Sequence, residues 1–233
     1  MTRALDLVIS GLALLLLLPL FLPVMVVLAF TGEGEVFYVQ KRVGRNGEDF
    51  SLLKFATMLK DSPNIGAGSI TLKDDPRVLP IGRVLRKTKI NELPQLINVF
   101  CGDMSLIGPR PMTRVNYDMY SEAARAAIGT VRPGLSGVGS IIFRDEEELL
   151  AGRENPRDYY RYTIAPFKAE VEIWYIENRG LFTYLKCIFL TILVVIRPAS
   201  SMPMRLLDKL PIPNDDLRTD FDAIRSRRTT SDV

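Results

Sequence analysis

The sequence predicts an α-rich α+β protein whose N-terminal helix lies in a membrane. The chain has 233 residues and is 47% hydrophobic, which exceeds what an ordinary soluble domain needs. The excess is concentrated in residues 7–30 and 181–196. The rest alternates helical patterns with short segments bounded by Gly and Pro, and its length suits one compact domain with appendages.

The N-terminal apolar segment is long enough to cross a bilayer. Residues 7–30 contain no charged residue, and as a straight helix they would rise roughly 36 Å against a hydrocarbon core of about 30 Å. Pro19 and Pro23 lack an N–H donor, so the helix should bend near its middle. A kinked spanning helix and a helix that returns to its side of entry are both compatible with this pattern. Basic residues at 41–45, compared with Arg3 before the segment, favour a cytoplasmic location for the globular part.

Several further segments have a recognisable local character. Short extended or helical pieces are expected on both sides of the turn sequence GRNG at 44–47, and residues 61–73 predict a loop. Residues 145–180 are polar and helical in character. Residues 181–196 are too few to span a membrane comfortably, which predicts a core helix or one lying in the interface. The charged, Pro-containing residues after 198 predict a loosely ordered tail.

A basic helix precedes the most informative stretch of the chain. Residues 79–87 place apolar side chains on one face and basic ones on the other, which predicts an amphipathic helix. Its basic face consists of Arg83, Arg86 and Lys87. TKINELPQL follows at 88–96, where Pro94 suits the first turn of another helix that ends at Gly102.

Composition excludes several classes of chemistry. The chain contains no histidine, which removes Ser-His-Asp and Cys-His catalysis and the usual zinc sites, and leaves Asp, Glu, Lys, Arg and oxyanion-type chemistry. Cys101 and Cys187 have no metal-ligand spacing and fit a reducing compartment. The formal charge of +3 comes without a basic stripe carrying aromatic residues, so nucleic acid is not an expected partner.

Two proline-containing loops carry arginines. In SLIGPRPM, Pro109 and Pro111 restrict the backbone on both sides of Arg110, so a guanidinium is presented rigidly. VRPGLSGVGS repeats this theme with Arg132. Asp103, between the end of the predicted helix and the first loop, is expected to be a turn or cap residue.

Ordered motifs along the chain resemble a known family. They are VFYVQKRVGRNGEDFSLLKFATM, DDPRVLPIGRVLRKTKINELPQLINVFCGDMSLIGPRP and VRPGLSGVG, after a hydrophobic N-terminus with a mid-segment proline. Over about residues 3–195 the chain resembles the bacterial sugar transferases, the monotopic phosphoglycosyl transferases.

The resemblance implies an activity and its partners. Enzymes of this family transfer a phosphosugar from a UDP-sugar to undecaprenyl phosphate, release UMP and use Mg²⁺. It also implies a catalytic domain on the cytoplasmic face of the bacterial inner membrane, contacting membrane lipids through amphipathic interfacial helices. The sugar, the glycan pathway and the oligomeric state, homo-oligomers included, stay open.

The same resemblance suggests domain boundaries. Residues 1–31 would form a re-entrant membrane helix, 32–197 the catalytic domain and 198–233 a charged tail. The family's helix is broken at a Ser-Pro pair. Here Asp6 and Pro19 match, and a leucine precedes the proline.

Site residues follow from the matching motifs. The family's Asp-Glu pair before Leu-Pro-Gln corresponds to Asn91 and Glu92, which makes Glu92 the expected catalytic carboxylate and Mg²⁺ ligand. Arg110 is expected to hold a phosphate group. Further candidates for binding phosphates, nucleotide or the anionic lipid surface are Lys54, Arg83, Arg86, Arg132 and Glu172.

Asn91 stands where the family has its nucleophilic aspartate, and an amide cannot attack phosphorus. Three explanations are open. Glu92 acts as nucleophile, or the lipid phosphate attacks directly, in a variant branch; the asparagine is an engineered substitution; or the protein is a natural pseudoenzyme. Ala56 and Ser140 depart from the family pattern as well.

A hypothesis from another functional class accompanies the transferase. The chain could be a non-catalytic membrane scaffold that binds a UDP-sugar or a glycan-assembly partner. Mg²⁺-dependent UMP release distinguishes the two.

Overall fold

The fold begins with a long apolar helix. A computed structural model describes residues 2–64, 75–196 and 206–231. Helix α1 (Thr2–Ala29) is continuous through Pro19 and Pro23. Among the described residues it is the one helix long and apolar enough to cross a membrane. The α-rich α+β class is confirmed.

A β-hairpin follows α1. Strands β1 (Phe37–Val43) and β2 (Asp49–Phe55) pair antiparallel, with Phe37 opposite Phe55 and Val43 opposite Asp49. The GRNG turn between them places Asn46 at φ 59°, a left-handed conformation that asparagine tolerates better than most residues. The expected pair of short pieces is therefore two strands.

Helices α2 (Pro80–Lys87) and α3 (Gln95–Cys101) follow, separated by a 3₁₀ turn at Ile90–Glu92. Pro80 occupies the first turn of α2, and α3 ends at Gly102, whose φ of 101° requires glycine. The predicted basic helix and the Gly102 stop are both confirmed. Within α2, a Cβ on Gly82 would lie 2.2 Å from the carbonyl oxygen of Thr57, so the missing side chain lets α2 pack directly on the backbone after β2.

The two Arg-Pro loops meet through a small parallel sheet. Strand β3 (Ser105–Ile107) pairs with β4 (Gly134–Ser136), Ser105 opposite Gly134 and Ile107 opposite Ser136. Between them lie α4 (Arg114–Tyr117) and α5 (Glu122–Gly129). Gly108 and Gly134 approach so closely that a Cβ on Gly134 would lie 2.1 Å from the Gly108 nitrogen, which explains why both loops contain glycine.

The C-terminal half is helical and completes the core. The remaining elements are α6 (Val138–Ile142), α7 (Glu146–Leu150), α8 (Pro156–Tyr159), a π-helical turn (Tyr160–Ile164), α9 (Ala165–Glu177), α10 (Leu181–Ile196) and α11 (Asp215–Ser231). Helix α10 buries one face, including Tyr184 and Leu190, and exposes Phe182, Phe189 and Ile196 on the other. This suits a helix that belongs both to the core and to an apolar surface.

Both halves of α1 pack against the same domain. Near its start, Arg3 donates to the carbonyl of Val99 at 2.6 Å. Near its end, Phe21 meets the ring of Phe55 edge-on at 5.4 Å, and Leu28 is fully buried. The opposite face exposes a row of apolar side chains that includes Val8, Leu12, Leu15, Leu16, Leu22 and Val26.

The end of the chain differs from the expected loose tail. Leu217 of α11 is fully buried, and Phe221 packs on Phe143 with ring centroids 5.5 Å apart. Asp220 accepts hydrogen bonds from Arg153 and Tyr159. Apolar residues at 217, 221 and 224 lie on one helical face, so burial of this stripe orders a segment whose overall composition is polar.

The close approach at Gly82 generates the first prediction. Gly82→Ala should lower the free energy of unfolding by about 1–3 kcal/mol, because the new methyl group collides with immobile backbone at Thr57 and outweighs alanine's better helix propensity. Thermal unfolding in detergent measures this. Gly180→Ala is the control, since nothing lies within 4 Å of its added Cβ, and equal melting temperatures for the two variants would contradict the packing argument.

Candidate active site

The site is organised around Glu92, the last residue of the 3₁₀ turn before α3. Its side chain is 16% exposed, and Oε1 lies 3.1 Å from an Nη of Arg110 and 3.6 Å from Nζ of Lys54. Lys89, the residue before this turn, has a backbone φ of 61°, a left-handed conformation that is uncommon for residues other than glycine. The chain thus makes a sharp bend to place Glu92 between two cations.

Arg110 reaches the site from the loop after β3. Its Nη2 donates to Glu92, and its backbone N–H donates to Oε1 of Glu172 at 3.2 Å. The side chain is 40% exposed, so it is open to a ligand on one side. Arg110 therefore bridges a carboxylate on the 3₁₀ turn and a carboxyl group on α9.

Lys54 and Arg42 line the hairpin side of the site. Burial lowers the pKa of Lys54 to about 8, with the charge of Glu92 opposing this shift and the charge of Arg110 adding to it. Burial and Arg110 also lower the pKa of Arg42 to about 10. Arg42 donates to Oε1 of Gln40 and, through Nη1, to the carbonyl of Pro111 at 3.2 Å. A cluster of cations in which burial disfavours the charged forms is suited to binding an anion.

The pKa of Glu92 reflects a balance of opposed effects. Burial alone would raise it, but the charges of Arg110, Lys54 and Lys89 and the hydrogen bond from Arg110 hold the pKa well below its usual range. Glu92 is therefore an anion at every physiological pH. A carboxylate of this kind serves as a fixed charge or a metal ligand more readily than as a proton carrier.

Asn91 is buried beside Glu92 in the sequence, and it is 7% exposed. Within residues 2–64, 75–196 and 206–231, its Oδ1 has no hydrogen-bond partner. The same holds for Oγ of Ser140 and Oε2 of Glu172. Buried polar atoms without partners are rare in folded proteins, so each of these three needs an explanation, such as a bound ion or a catalytic role.

Comparison with known proteins bears on this site. The family model described as "Bacterial sugar transferase" matches residues 1–198. The chain belongs to the bacterial sugar transferase family.

Similar proteins match most of the chain. The exopolysaccharide production protein ExoY of Sinorhizobium fredii is 39% identical over 158 residues, which are 62% of this chain and 70% of that protein. ExoY of Rhizobium meliloti is 34% identical over 204 residues, or 82% of this chain and 83% of that protein. The UDP-glucose:undecaprenyl-phosphate glucose-1-phosphate transferase of Caulobacter vibrioides is 34% identical over 194 residues, or 82% and 67%.

Some expected site residues of this transferase converge and others lie apart. Glu92, Lys54 and Arg110 are in contact, and Glu172 joins them through the Arg110 backbone. Arg132 instead donates to the carbonyl of Gly102, at the far end of α3 from Glu92.

The basic residues of α2 make few contacts with the site. Arg86 donates to Glu147 at 3.1 Å, while Arg83 is exposed. Their binding of phosphate stays a prediction, as does that of Arg132. Asp103 accepts a hydrogen bond from the Asn98 side chain at 3.1 Å and follows the α3 stop, which is the turn position expected of it.

The sequence alone does not predict Arg42 at the site, where its charge indicates only membrane orientation. The hairpin register places Gln40, Arg42 and Lys54 on one face of β1 and β2. The sequence signal for this placement is that alternate side chains of a strand lie on the same face. It identifies Arg42 as a neighbour of Lys54 only once the pairing of β1 with β2 is known.

Metal binding depends on few protein ligands here. Among the described residues, no group of three or more His, Cys, Asp or Glu is arranged to hold a metal ion. Mg²⁺ bound together with substrate phosphates needs one or two carboxylates at most. Glu92, with the unpaired oxygen of Asn91 next to it in sequence, meets that requirement.

Glu172 generates a prediction of pH dependence. Burial raises its pKa to about 7, and the hydrogen bond from Arg110 offsets only part of this effect. Between the ordinary value and about 7, the folded chain retains a proton that the unfolded chain releases. Stability should therefore fall as pH rises through this window, by about 3 kcal/mol at most.

Glu172→Gln should remove this pH dependence and gain stability over the parent as pH rises from 5 to 8. Thermal unfolding at several pH values in detergent measures the difference. Glu170→Gln, an exposed position on the same helix, is the control. A difference between Glu172→Gln and the parent that stays constant from pH 5 to 8 would contradict the assignment.

Proposed function

We propose that this chain transfers a phosphosugar from a UDP-sugar to undecaprenyl phosphate and releases UMP. The observation that carries the proposal is Glu92 held between Lys54 and Arg110 in a largely buried, cation-rich site. The named activity of the Caulobacter vibrioides relative supports the same donor and acceptor classes. A diphosphate needs positive charge at its oxygens, and Arg110 offers a partly exposed guanidinium for that purpose.

The acceptor phosphate is the proposed nucleophile. Asn91 has no anionic oxygen, and the two cations beside Glu92 reduce the nucleophilicity of its carboxylate, so neither is well suited to attack phosphorus. A phosphate oxyanion is already nucleophilic. Its oxygen forms a bond to the β-phosphorus of the UDP-sugar, the bond from that phosphorus to the bridging oxygen breaks, and the electron pair leaves with UMP.

The protein's contribution to this step is positioning and charge. Phosphoryl transfer places negative charge on the transferring group and on the leaving oxygen, and catalysis depends mainly on stabilising it. Arg110 and Lys54 would contact these oxygens, while Glu92 keeps both cations in place before the substrate arrives. Arg42 adds positive charge from the hairpin and secures the Arg110 loop through the Pro111 carbonyl.

Mg²⁺ is the proposed cofactor. Glu92 would hold it, with the Asn91 side-chain oxygen as a second donor, and the bound ion would neutralise the donor's phosphates. The buried, unpaired state of Asn91 Oδ1 supports a ligand at this position.

The site is proposed to lie at membrane level on the cytoplasmic side of the inner membrane. An undecaprenyl tail cannot leave the bilayer, so its phosphate must be met at the headgroup boundary. Contacts of both halves of α1 with one domain support a re-entrant helix over one that carries its far end across the bilayer. The exposed apolar faces of α1 and α10 would be the surfaces in contact with lipid.

The scaffold hypothesis is less well supported. A chain selected only for binding has no need of a buried carboxylate between two cations, because separating these groups from water is costly. Intact contacts among Glu92, Lys54 and Arg110 therefore favour catalysis, even with Asn91 at the dyad position.

Variants at Asn91 and Glu92 test the proposal. With Mg²⁺, undecaprenyl phosphate and a panel of UDP-sugars, Glu92→Gln should lower UMP release roughly 100-fold or more. Asn91→Ala should retain activity within about ten-fold, because residue 91 makes no bond to phosphorus and water can replace its oxygen as the second donor to Mg²⁺. Glu170→Gln controls for the handling of the protein.

Two results would contradict this account. Absence of UMP release with any donor, together with activity restored by Asn91→Asp, would identify the chain as an inactive or trapped form. Equal activity of Glu92→Gln and the parent would remove Glu92 from the mechanism.

A further inference from the structure

Asp6 is a buried acidic residue in the second turn of the apolar helix α1, and it is 1% exposed. Its Oδ1 accepts hydrogen bonds from Oγ of Ser105 at 3.0 Å, from the backbone N–H of Leu106 at 2.9 Å and from the hydroxyl of Tyr184 at 2.5 Å. These donors come from β3 and α10. A buried carboxyl group is costly without such partners, and in a membrane-associated segment it marks a functional role by default.

The bond to Leu106 completes one edge of β3. Along the other edge, Ser105 N–H donates to the carbonyl of Pro133. Leu106 N–H points away from β4 because successive amides of a strand face opposite sides. Asp6 thus occupies the position where a further strand would pair, and it fixes β3 from the side that β4 does not reach.

Arg3 makes an equivalent contact one turn earlier. Its guanidinium donates to the carbonyls of Val99 and Phe100 at 2.6 and 2.8 Å, which are among the last carbonyls of α3. The first turns of α1 therefore bind both α3 and β3.

These two segments carry the two partners of the central ion pair. Helix α3 begins three residues after Glu92, and β3 ends three residues before Arg110. The distance between Glu92 and Arg110 thus depends on how α3 and β3 are held relative to each other. The α1 side chains that hold them are Arg3 and Asp6.

We infer that Asp6 is a positioning residue, which holds β3 so that Arg110 meets Glu92 and thereby couples the seating of the membrane helix to the active site. Its catalytic consequence rests on the proposed transferase function. Its structural part, the attachment of β3 to α1, is independent of that function.

The structural part is tested by hydrogen exchange of the intact protein in nanodiscs. Asp6→Ala should accelerate amide exchange in a peptide that covers residues 104–112, because Leu106 loses its acceptor. Asp6→Asn keeps an oxygen at that position and should show a smaller change. Ser10→Ala is the matched control, since Ser10 is equally buried on α1 and bonds only within its own helix among the described residues.

The catalytic part is tested by lipid-dependent UMP release. Asp6→Ala should lower kcat roughly 10- to 100-fold, as expected when a binding group is displaced by about 1 Å, with the protein still in the membrane fraction. Tyr184→Phe removes one donor and should give a smaller loss. If Asp6→Ala does not fold, Tyr184→Phe can be used for the same measurement.

A double-mutant cycle separates positioning from general destabilisation. If Asp6 acts through Arg110, Asp6→Asn combined with Arg110→Lys should cost less than the product of the two single losses. The inference would be overturned if the double variant lost activity by the full product of the two single losses. It would also be overturned if Asp6→Ala left amide exchange at residues 104–112 unchanged. If the parent releases no UMP while Asp6→Ala still accelerates exchange, the proposed function fails and the attachment of β3 stands.

Discussion

A carboxylate held between two cations is the interaction on which the rest of this transferase depends. Glu92, Lys54 and Arg110 come from the 3₁₀ turn, β2 and the loop after β3, and each must be placed accurately for the group to be stable in a largely buried position. The hairpin, the close approach of α2 to Thr57 and the contact between Gly108 and Gly134 all serve this placement. In the proposed reaction the assembled cluster is already arranged for anionic oxygens, so substrate binding would need little reorganisation.

The apolar helix α1 is a structural part of this architecture. Its first turns grip α3 and β3, and its second half covers Phe55 and the hairpin. The proposed lipid-linked acceptor would require such an arrangement, because its phosphate stays at a fixed depth in the bilayer and the site must be held at that depth. In the proposed mechanism the lipid phosphate supplies the nucleophile, so a site of fixed charges would suffice for transfer even with Asn91 at the position of the family's aspartate.

Local signals in the sequence predicted much of the fold. Proline and glycine positions predicted α2, α3 and the end of α3 at Gly102. The motif match named Glu92, Lys54 and Arg110 as candidate site residues, and the structure places these three in contact. Features that depend on long-range packing were missed. Arg42 enters the site through strand register, and α11 is ordered by burial of an apolar stripe in a polar segment. The network around Asp6 joins positions 6, 106 and 184, a relation that no local pattern contains.

The most direct test of the central claim is a single turnover without acceptor. The protein would be mixed with a comparable amount of its UDP-sugar and Mg²⁺, with UMP followed over time and the mass of the intact chain measured. Direct attack by the lipid phosphate predicts no UMP and no change in mass until undecaprenyl phosphate is added, followed by release of UMP. One equivalent of UMP without lipid, with a phosphosugar added to the mass of the chain, would show a covalent intermediate and contradict the account.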